Sequence, residues 1–261
     1  MTDAHDLRRQ CADRLDEAMR TRVPCTPLTE EFAISELDAY AIQQLNMERR
    51  LDGGAARIGW KVGLTSAAIQ SWLGVGEPDY GTLLDDMVTA DRGVADTARL
   101  LQPRAEGEIA FVMSRDLAGP GVDGAGVIAA TEFILPAIEV VDSRIADWKI
   151  KWADTVADNA SSGLFVMGST PVSLRGLDLR LAGMTLRKNG EVVATGAGAA
   201  CLGHPVNAVA WLANKVGQMG ASLRAGDVVL SGALGPVTPV APGDWLHVAI
   251  SGVGEASCRF S

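Results

Sequence analysis

The chain opens on an amphipathic repeat. Over residues 3–22, Leu7, Cys11, Leu15 and Met19 recur at every fourth position among charged residues, the spacing of one buried stripe on an α-helix. A second stripe, Leu37, Ala41, Leu45 and Met47 or Leu51, begins after Ser35 and Asp38, which have capping-box spacing, and stops at Gly53-Gly54. Arg57–Leu64 is short, apolar and glycine-punctuated apart from Lys61, which predicts a strand closely approached by other backbone. Leu73–Gly81 is full of turn residues and predicts a loop. Arg104–Val112 and the apolar run Ile134–Val141 predict strands on either side of a glycine-rich surface loop, Gly119–Gly126. A further strand is expected over Gly163–Met167. Beyond it, Thr185–Lys188 and Glu191–Ala194 flank Asn189-Gly190, a two-residue hairpin signal. Pro205–Lys215 predicts a helix with Val206, Val209, Ala210 and Ala213 on one face, and strands follow around Asp227–Leu230, Trp245–Ile250 and Glu255–Phe260. The expected fold class is α+β: a single domain over residues 1–261, with a helical N-terminal layer to about residue 80 and a mixed β-core over about 81–261.

Composition narrows the function classes. Of 261 residues, 48% are hydrophobic, yet no apolar run approaches membrane-spanning length, so no membrane partner is expected. A net charge of -9 argues against nucleic acid, which selects a basic face. Cys11, Cys25, Cys201 and Cys258 lie far apart without metal-type pairs, the pattern of free thiols in a reducing compartment. The start of the chain carries Asp3, His5, Asp6, Arg8 and Arg9 in place of an apolar signal core, and a cytoplasmic address is expected.

Candidate chemistry centres on acids in apolar strands. Alternation puts Glu106 and Glu108 on one face and Gly107, Ile109 and Phe111 on the other. Glu139 interrupts the other apolar run. Three such carboxylates suit a hard divalent ion, Mg²⁺ or Mn²⁺. By spacing alone, however, a solvated E-x-E face with Glu139 in a salt bridge is the commoner outcome. Lys61 is evenly balanced between an edge-strand lysine and a site residue, and Asp79 has the composition context of a turn or cap. Asp142, Arg144 and Asp147 form a charged cluster, with Asp147, Lys149 and Lys151 reading as local ion pairs. Asp158-Asn159-Ala160-Ser161-Ser162 offers short donors for a small carboxylate, or an ordinary turn. His204 and His247 have no second histidine at zinc-ligand spacing, no G-x-S-x-G elbow is present, and Gly196-Ala197-Gly198 lacks a Walker lysine.

Several separated stretches carry a family resemblance: Gly59-Trp60-Lys61-Val62-Gly63, Gly74-Val75 with Pro78-Asp79-Tyr80-Gly81, Pro103 through Phe111, Glu139-Val140-Val141-Asp142-Ser143-Arg144, Asp154 through Ser162, Thr195 through Ala200 and His204 through Val209. In this order they resemble the 2-hydroxypenta-2,4-dienoate (2-keto-4-pentenoate) hydratases of the fumarylacetoacetate hydrolase superfamily. The resemblance implies a curled β-structure with the site at its mouth. It implies Glu106, Glu108 and Glu139 as ligands of Mg²⁺ or Mn²⁺, Lys61 and Asp79 in proton transfer, and Ser161 on the substrate carboxylate. The implied reaction adds water to 2-hydroxypenta-2,4-dienoate, giving 4-hydroxy-2-oxopentanoate, in meta-cleavage degradation of aromatic compounds. Burial and a neighbouring cation would then lower the Lys61 pKa. A homo-oligomer and a complex with 4-oxalocrotonate decarboxylase are further expectations.

Three other readings stay open: a 4-oxalocrotonate decarboxylase of the same pathway, a fumarylpyruvate-type C–C hydrolase, and a non-catalytic stabilising partner of the decarboxylase. Electrophilic polarisation of a 2-oxo group serves hydration and decarboxylation alike, so the three glutamates do not separate them. Leu234, Val237, Val240 and Trp72 are the candidates for an apolar tail pocket.

Overall fold

The first stripe forms helix α1 (Ala4–Thr21), which buries Cys11, Ala12, Leu15 and Ala18. The computed structural model describes residues 4–261, and the side chains of Ala68, Trp72 and Leu73, Trp72 among the tail candidates, lie outside the described part. A short α2 (Leu28–Glu31) leads to α3 (Glu36–Asp52), where Ser35 and Asp38 form the expected capping box. The buried face of α3 is rotated from the expected one. Leu37 and Leu51 are exposed, and Ala39, Tyr40, Ile42 and Gln43 point inward. The contacts of Gln43 and Tyr40 account for the rotation. The Gln43 amide donates to the carbonyls of Tyr80 (3.0 Å) and Val156 (2.8 Å), and Tyr40 stacks on Tyr80 with ring centroids 4.5 Å apart.

Next come β1 (Arg57–Gly63), α4 (Ala67–Leu73), β2 (Asp79–Leu84), β3 (Val88–Thr89), β4 (Val94–Ala95), β5 (Arg104–Met113), α5 (Gly124–Ala130) and β6 (Thr131–Val141). The loop expected over 73–81 ends at Pro78: Asp79, Tyr80 and Gly81 begin β2, buried throughout and paired antiparallel with β1. Cross-strand pairing and burial override the local turn composition here. The chain continues through α6 (Trp152–Ala157), β7 (Ser162–Met167), β8 (Gly183–Lys188), β9 (Glu191–Ala197), α7 (Pro205–Gln218), β10 (Val228–Leu230), β11 (Thr238–Pro239), β12 (Trp245–Ile250) and β13 (Gly254–Phe260). Asn189 (φ 55°) and Gly190 (φ 91°) make the tight turn between β8 and β9, and the His204 ring accepts the Val206 N–H at the start of α7.

Two sheets result. The larger runs β2-β1-β10-β5-β6-β7-β3, with β11 added to one end of β5, and the smaller runs β4-β13-β12-β8-β9. The larger is mixed, with β1–β10 and β3–β7 parallel and the other pairs antiparallel. The smaller sheet packs against the larger at Gly107, where an added Cβ would meet Val248 at 2.8 Å and Met184 at 3.1 Å. That odd-numbered face of β5 therefore faces the core, and the even-numbered face, carrying Arg104, Glu106 and Glu108, is left for other work.

Candidate active site

In the antiparallel β5–β6 pair Glu106 stands directly opposite Glu139, and Glu108 lies two residues along on the same face. One carboxylate oxygen of each lies within 4.8 Å of the others. Glu108 is 0% and Glu139 1% exposed. The Gly232 N–H donates to Glu108 Oε2 at 2.7 Å. Gly232 holds φ +106°, and a Cβ there would strike Thr65 at 2.5 Å, so only glycine presents this donor. Glu108 Oε1 and both Glu139 oxygens have no hydrogen bond.

Lys61, on β1, meets this cluster across β10, the strand that lies between β1 and β5. Its Nζ lies 3.1 Å from Glu139 Oε1, an ion-pair distance without hydrogen-bond alignment, and donates to the Ala160 carbonyl at 3.0 Å. That carbonyl belongs to an unusual turn. Asn159 (φ 54°), Ala160 (φ 50°) and Ser161 (φ 51°) are three consecutive left-handed residues, none of them glycine, a conformation that persists only where surrounding contacts enforce it. Asn159 is pinned to β2 through the Thr82 N–H (2.7 Å) and carbonyl (2.9 Å). Ser162 Oγ donates to the Asn159 carbonyl at 2.7 Å. The turn carries the Ser161 hydroxyl 3.4 Å from Thr155 Oγ1, which donates to Asp79 Oδ2 at 3.3 Å.

Of these groups, Lys61, Asp79, Glu106, Thr155, Ala160 and Ser161 line a cavity of about 180 Å³, together with Thr65, Ser66 and Arg104. Ile69, Val141, Trp148, Ile150, Ala233 and Val237 line its apolar walls. Val237 is thus where the tail expectation placed it, whereas Leu234 and Val240 belong to the hydrophobic core. Asp147, Lys149 and Lys151 are absent from the lining, and Lys149 pairs with Asp147 on the surface at 3.0 Å. Asp142 accepts the backbone N–H groups of Leu101 and Gln102. Thr155, the Ala160 carbonyl, Gly63 and Gly232 went unassigned from sequence. Thr155 lies within the stretch Asp154–Ser162, but nothing local to it signals a contact with Asp79.

The electrostatics of the pocket are those of crowded acids. Burial, followed by the Glu139 charge, pushes Glu106 up to about 7, and burial raises Glu108 well above the carboxylate range. Burial likewise raises Asp79, against the pull of Lys61. Lys61 departs from expectation. Burial lowers its pKa, but Glu139, Asp79, Glu106 and Glu108 outweigh that and raise it above the ordinary lysine value. Its neighbours are acids, and without a cation among them the ammonium form wins. Four carboxylates share one lysine, and several carboxylate oxygens have no donor. This donor set fits a hard cation, which would satisfy oxygens that the chain leaves bare.

Linkage makes this testable. In the metal-free protein Glu106 and Glu108 hold protons that the unfolded chain has released, so stability falls as pH rises from about 4.5 through about 7. Thermal melts of metal-free protein should therefore drop across that window, and the increment from added Mg²⁺ should grow with pH. A flat, metal-independent profile would contradict a cation-binding triad. Gly63 provides a second test. A Cβ there would sit 2.2 Å from Asp79 Oδ1 and 3.3 Å from Lys61 Nζ. Gly63→Ala should displace Asp79 and lower kcat by about tenfold or more, roughly 1.4 kcal/mol in barrier, with the far-ultraviolet spectrum unchanged.

A mixed sheet with a buried acid triad beside a small cavity defines a class, and the model for the fumarylacetoacetate (FAA) hydrolase C-terminal region matches residues 78–261. The chain belongs to the fumarylacetoacetate hydrolase family, and within it to the branch of the 2-keto-4-pentenoate hydratases. It is 50% identical over 254 residues to the 2-keto-4-pentenoate hydratase of Paraburkholderia xenovorans (strain LB400), covering 97% of this chain and 94% of that one. Among solved structures, the 4-oxalocrotonate decarboxylase from Pseudomonas putida G7 complexed with magnesium and adipate is 39% identical, with a TM-score of 0.91 over 97% of this chain and 98% of that chain. The same enzyme complexed with calcium and acetate is 38% identical, with a TM-score of 0.94 over 100% of this chain and 99% of that chain.

Proposed function

We propose that this protein is a metal-dependent hydro-lyase that adds water to 2-hydroxypenta-2,4-dienoate (2-keto-4-pentenoate) and forms 4-hydroxy-2-oxopentanoate. The observation that carries the reading is 50% identity along nearly the whole chain to a 2-keto-4-pentenoate hydratase, joined to a buried triad with unsatisfied oxygens beside Lys61, Asp79 and Ser161. Identity to the decarboxylase is lower, at 39%.

Glu106, Glu108 and Glu139 are the residues that would hold Mg²⁺ or Mn²⁺. When bound, such an ion supplies charge stabilisation for the carboxylate and C2 oxygens of a 2-oxo acid. The remaining work falls to the chain. The dienol takes up a proton at C5 and releases the proton of its C2 hydroxyl, leaving 2-oxopent-3-enoate. Water then adds its oxygen at C4 and a proton at C3. Asp79, whose pKa burial raises, is the donor suited to C5. Thr155 and Ser161 connect it to the cavity by hydroxyl groups at 3.3 and 3.4 Å. The Lys61 ammonium, steadied by the Ala160 carbonyl, hydrogen-bonds the oxyanion developing at C2. Ser161 donates to the substrate carboxylate. The apolar walls suit an uncharged vinyl tail and limit stray water.

On this reading the protein acts in the cytoplasm, in meta-cleavage degradation of aromatic compounds, as a homo-oligomer that associates with a 4-oxalocrotonate decarboxylase. No helix among the described residues is long and apolar enough to cross a membrane. The deciding experiment follows the ultraviolet absorbance of 2-hydroxypenta-2,4-dienoate with purified metal-stripped protein, before and after Mg²⁺ or Mn²⁺, and identifies the product. Metal-dependent loss of the dienol with formation of 4-hydroxy-2-oxopentanoate is expected. CO₂ release from 4-oxalocrotonate without dienol turnover would move the assignment to the decarboxylase.

A further inference from the structure

We infer that Cys201 is a positioning residue of the acid triad: its thiol fixes the Ser231–Gly232 peptide, whose N–H fixes Glu108, and this hold favours Mg²⁺ over Ca²⁺. The inference rests on the reading of Glu106, Glu108 and Glu139 as a cation site. One peptide unit carries it. The Ser231 carbonyl accepts from Cys201 Sγ at 2.8 Å, and the Gly232 N–H, the other end of the same group, donates to Glu108 Oε2 at 2.7 Å. A peptide is planar, so turning its carbonyl turns its N–H as well. A contact on the oxygen therefore sets the direction of the bond to the carboxylate. The thiol bonds this peptide and not a carboxylate, so Cys201 acts on the triad at one remove.

The peptide needs such a hold because it has left the regular ladder. Just beyond β10 the Ser231 N–H donates to the Ile109 carbonyl at 3.1 Å, and the next backbone bond to β5 runs from the Leu234 N–H to the Gly107 carbonyl at 3.0 Å. A step of three residues on one strand answers a step of two on the other, as in a β-bulge. The ladder thus does not orient the Gly232 N–H. Cys201 is well placed to do so, because its own backbone is fixed on both sides. Its N–H donates to the Gly198 carbonyl (3.1 Å), its carbonyl accepts the His204 N–H (2.8 Å), and the Leu202 N–H donates to the Thr65 carbonyl (3.1 Å). Cys201 is 0% exposed, and burial pushes its thiol up to about 12, which keeps the donated proton in place. Glu108 Oε1 has no hydrogen bond, so the Gly232 N–H is the contact that orients this carboxylate. Mg²⁺ demands near-ideal octahedral geometry whereas Ca²⁺ accepts irregular sites. A loosened Glu108 therefore costs the smaller ion more.

The test titrates Mg²⁺ and Ca²⁺ separately, by calorimetry, into metal-stripped wild type, Cys201→Val, Cys201→Ala and Cys201→Ser. Valine fills the space without a donor, alanine removes the donor without crowding, and serine keeps a donor. Both donor-free variants should bind Mg²⁺ about tenfold more weakly than wild type, the lower end for losing a group that orients a metal ligand. Their Ca²⁺ affinity should fall by less than about threefold, and Cys201→Ser should stay within about threefold of wild type for both ions. Unchanged Mg²⁺ binding in the donor-free variants would overturn the inference. Equal losses of Mg²⁺ and Ca²⁺ affinity would also overturn it, as would a Cys201→Ser variant as weak as Cys201→Val, since packing and not the donor would then be at work. In each of these cases the triad stands as a cation site, whereas a wild type that binds neither ion removes that reading and this inference together. Absence of dienol turnover in the same preparation counts against the hydratase reading alone.

Discussion

Glu106→Gln is expected to lower kcat by about 10³-fold or more, roughly 4 kcal/mol of barrier, while making the metal-free protein more stable than metal-free wild type. The two effects share one cause. Glu106 faces Glu139 across the strand pair with Glu108 on the same face, and these carboxylates repel one another in a buried site. A neutral amide relieves that repulsion and removes a ligand charge needed to hold a hard cation. Melting temperature without metal should therefore rise in the variant at pH 8, where wild-type Glu106, with a pKa pushed up to about 7, is ionised. Calorimetry should show Mg²⁺ affinity reduced by at least about tenfold, or 1.4 kcal/mol. Unchanged Mg²⁺ binding would end the assignment of the triad. A variant less stable than wild type without metal would mean that Glu106 makes a structural contact other than those described.

The outcome was partly visible in the sequence, and the division follows the range of the interactions. Glu106 and Glu108 share a face because strand alternation is local, and an acid inside Ile134–Val141 stands out against its own neighbours. Helix α1, the capping box at Ser35 and the Asn189-Gly190 turn are local in the same sense. Where a distant partner decides, sequence reading stopped short. The face of α3 is set by Gln43 reaching Tyr80 and Val156, which lie 37 and 113 residues away. Asp79 looked like a turn residue because its strand partners are in β1. Composition leaves Lys61 and Ser161 balanced against bland alternatives and Asp79 a turn residue, and only the family resemblance tips them toward the site, since the contacts joining them run through the Ala160 carbonyl and Thr155. The sign of the Lys61 shift was missed for a related reason. Four acids converge on it from three different strands, and no window of sequence contains them all.

Arg144→Met should cost about 3 kcal/mol, the lower end of the range for breaking a buried ion pair, and slow turnover as well. Arg144 is buried and binds both ends of the left-handed turn. Its Nε and Nη2 donate to the Asp158 carboxylate and carbonyl, and its Nη1 to the Ser162 carbonyl at 2.7 Å. Its own backbone N–H donates to Asp158 Oδ2 at 3.0 Å. Burial already pushes Asp158 up to about 6 against the pull of this arginine. Without the guanidinium, Asp158 would take up a proton or admit water. A second cavity of about 280 Å³, lined by Arg144, Asp158, Asn159 and Ser162, gives water a route to it, which is why the lower end of the range applies. The melting temperature should fall by roughly 10 °C, given about 2–4 °C per kcal/mol for a chain of this size. Loss of the clamp also lets Asn159, Ala160 and Ser161 leave their left-handed conformation, withdrawing the carbonyl that holds Lys61. Turnover should then drop by about tenfold or more, a barrier increase of roughly 1.4 kcal/mol, at temperatures where the variant remains folded. Pairing Arg144→Met with Asp158→Leu removes both charges at once, so the double variant should recover most of the lost stability. It should recover little of the activity, because the turn is still unclamped. Stability and activity restored together would show that the ion pair acts on neither Lys61 nor Ser161, and stability lost additively would show that the two side chains are not coupled.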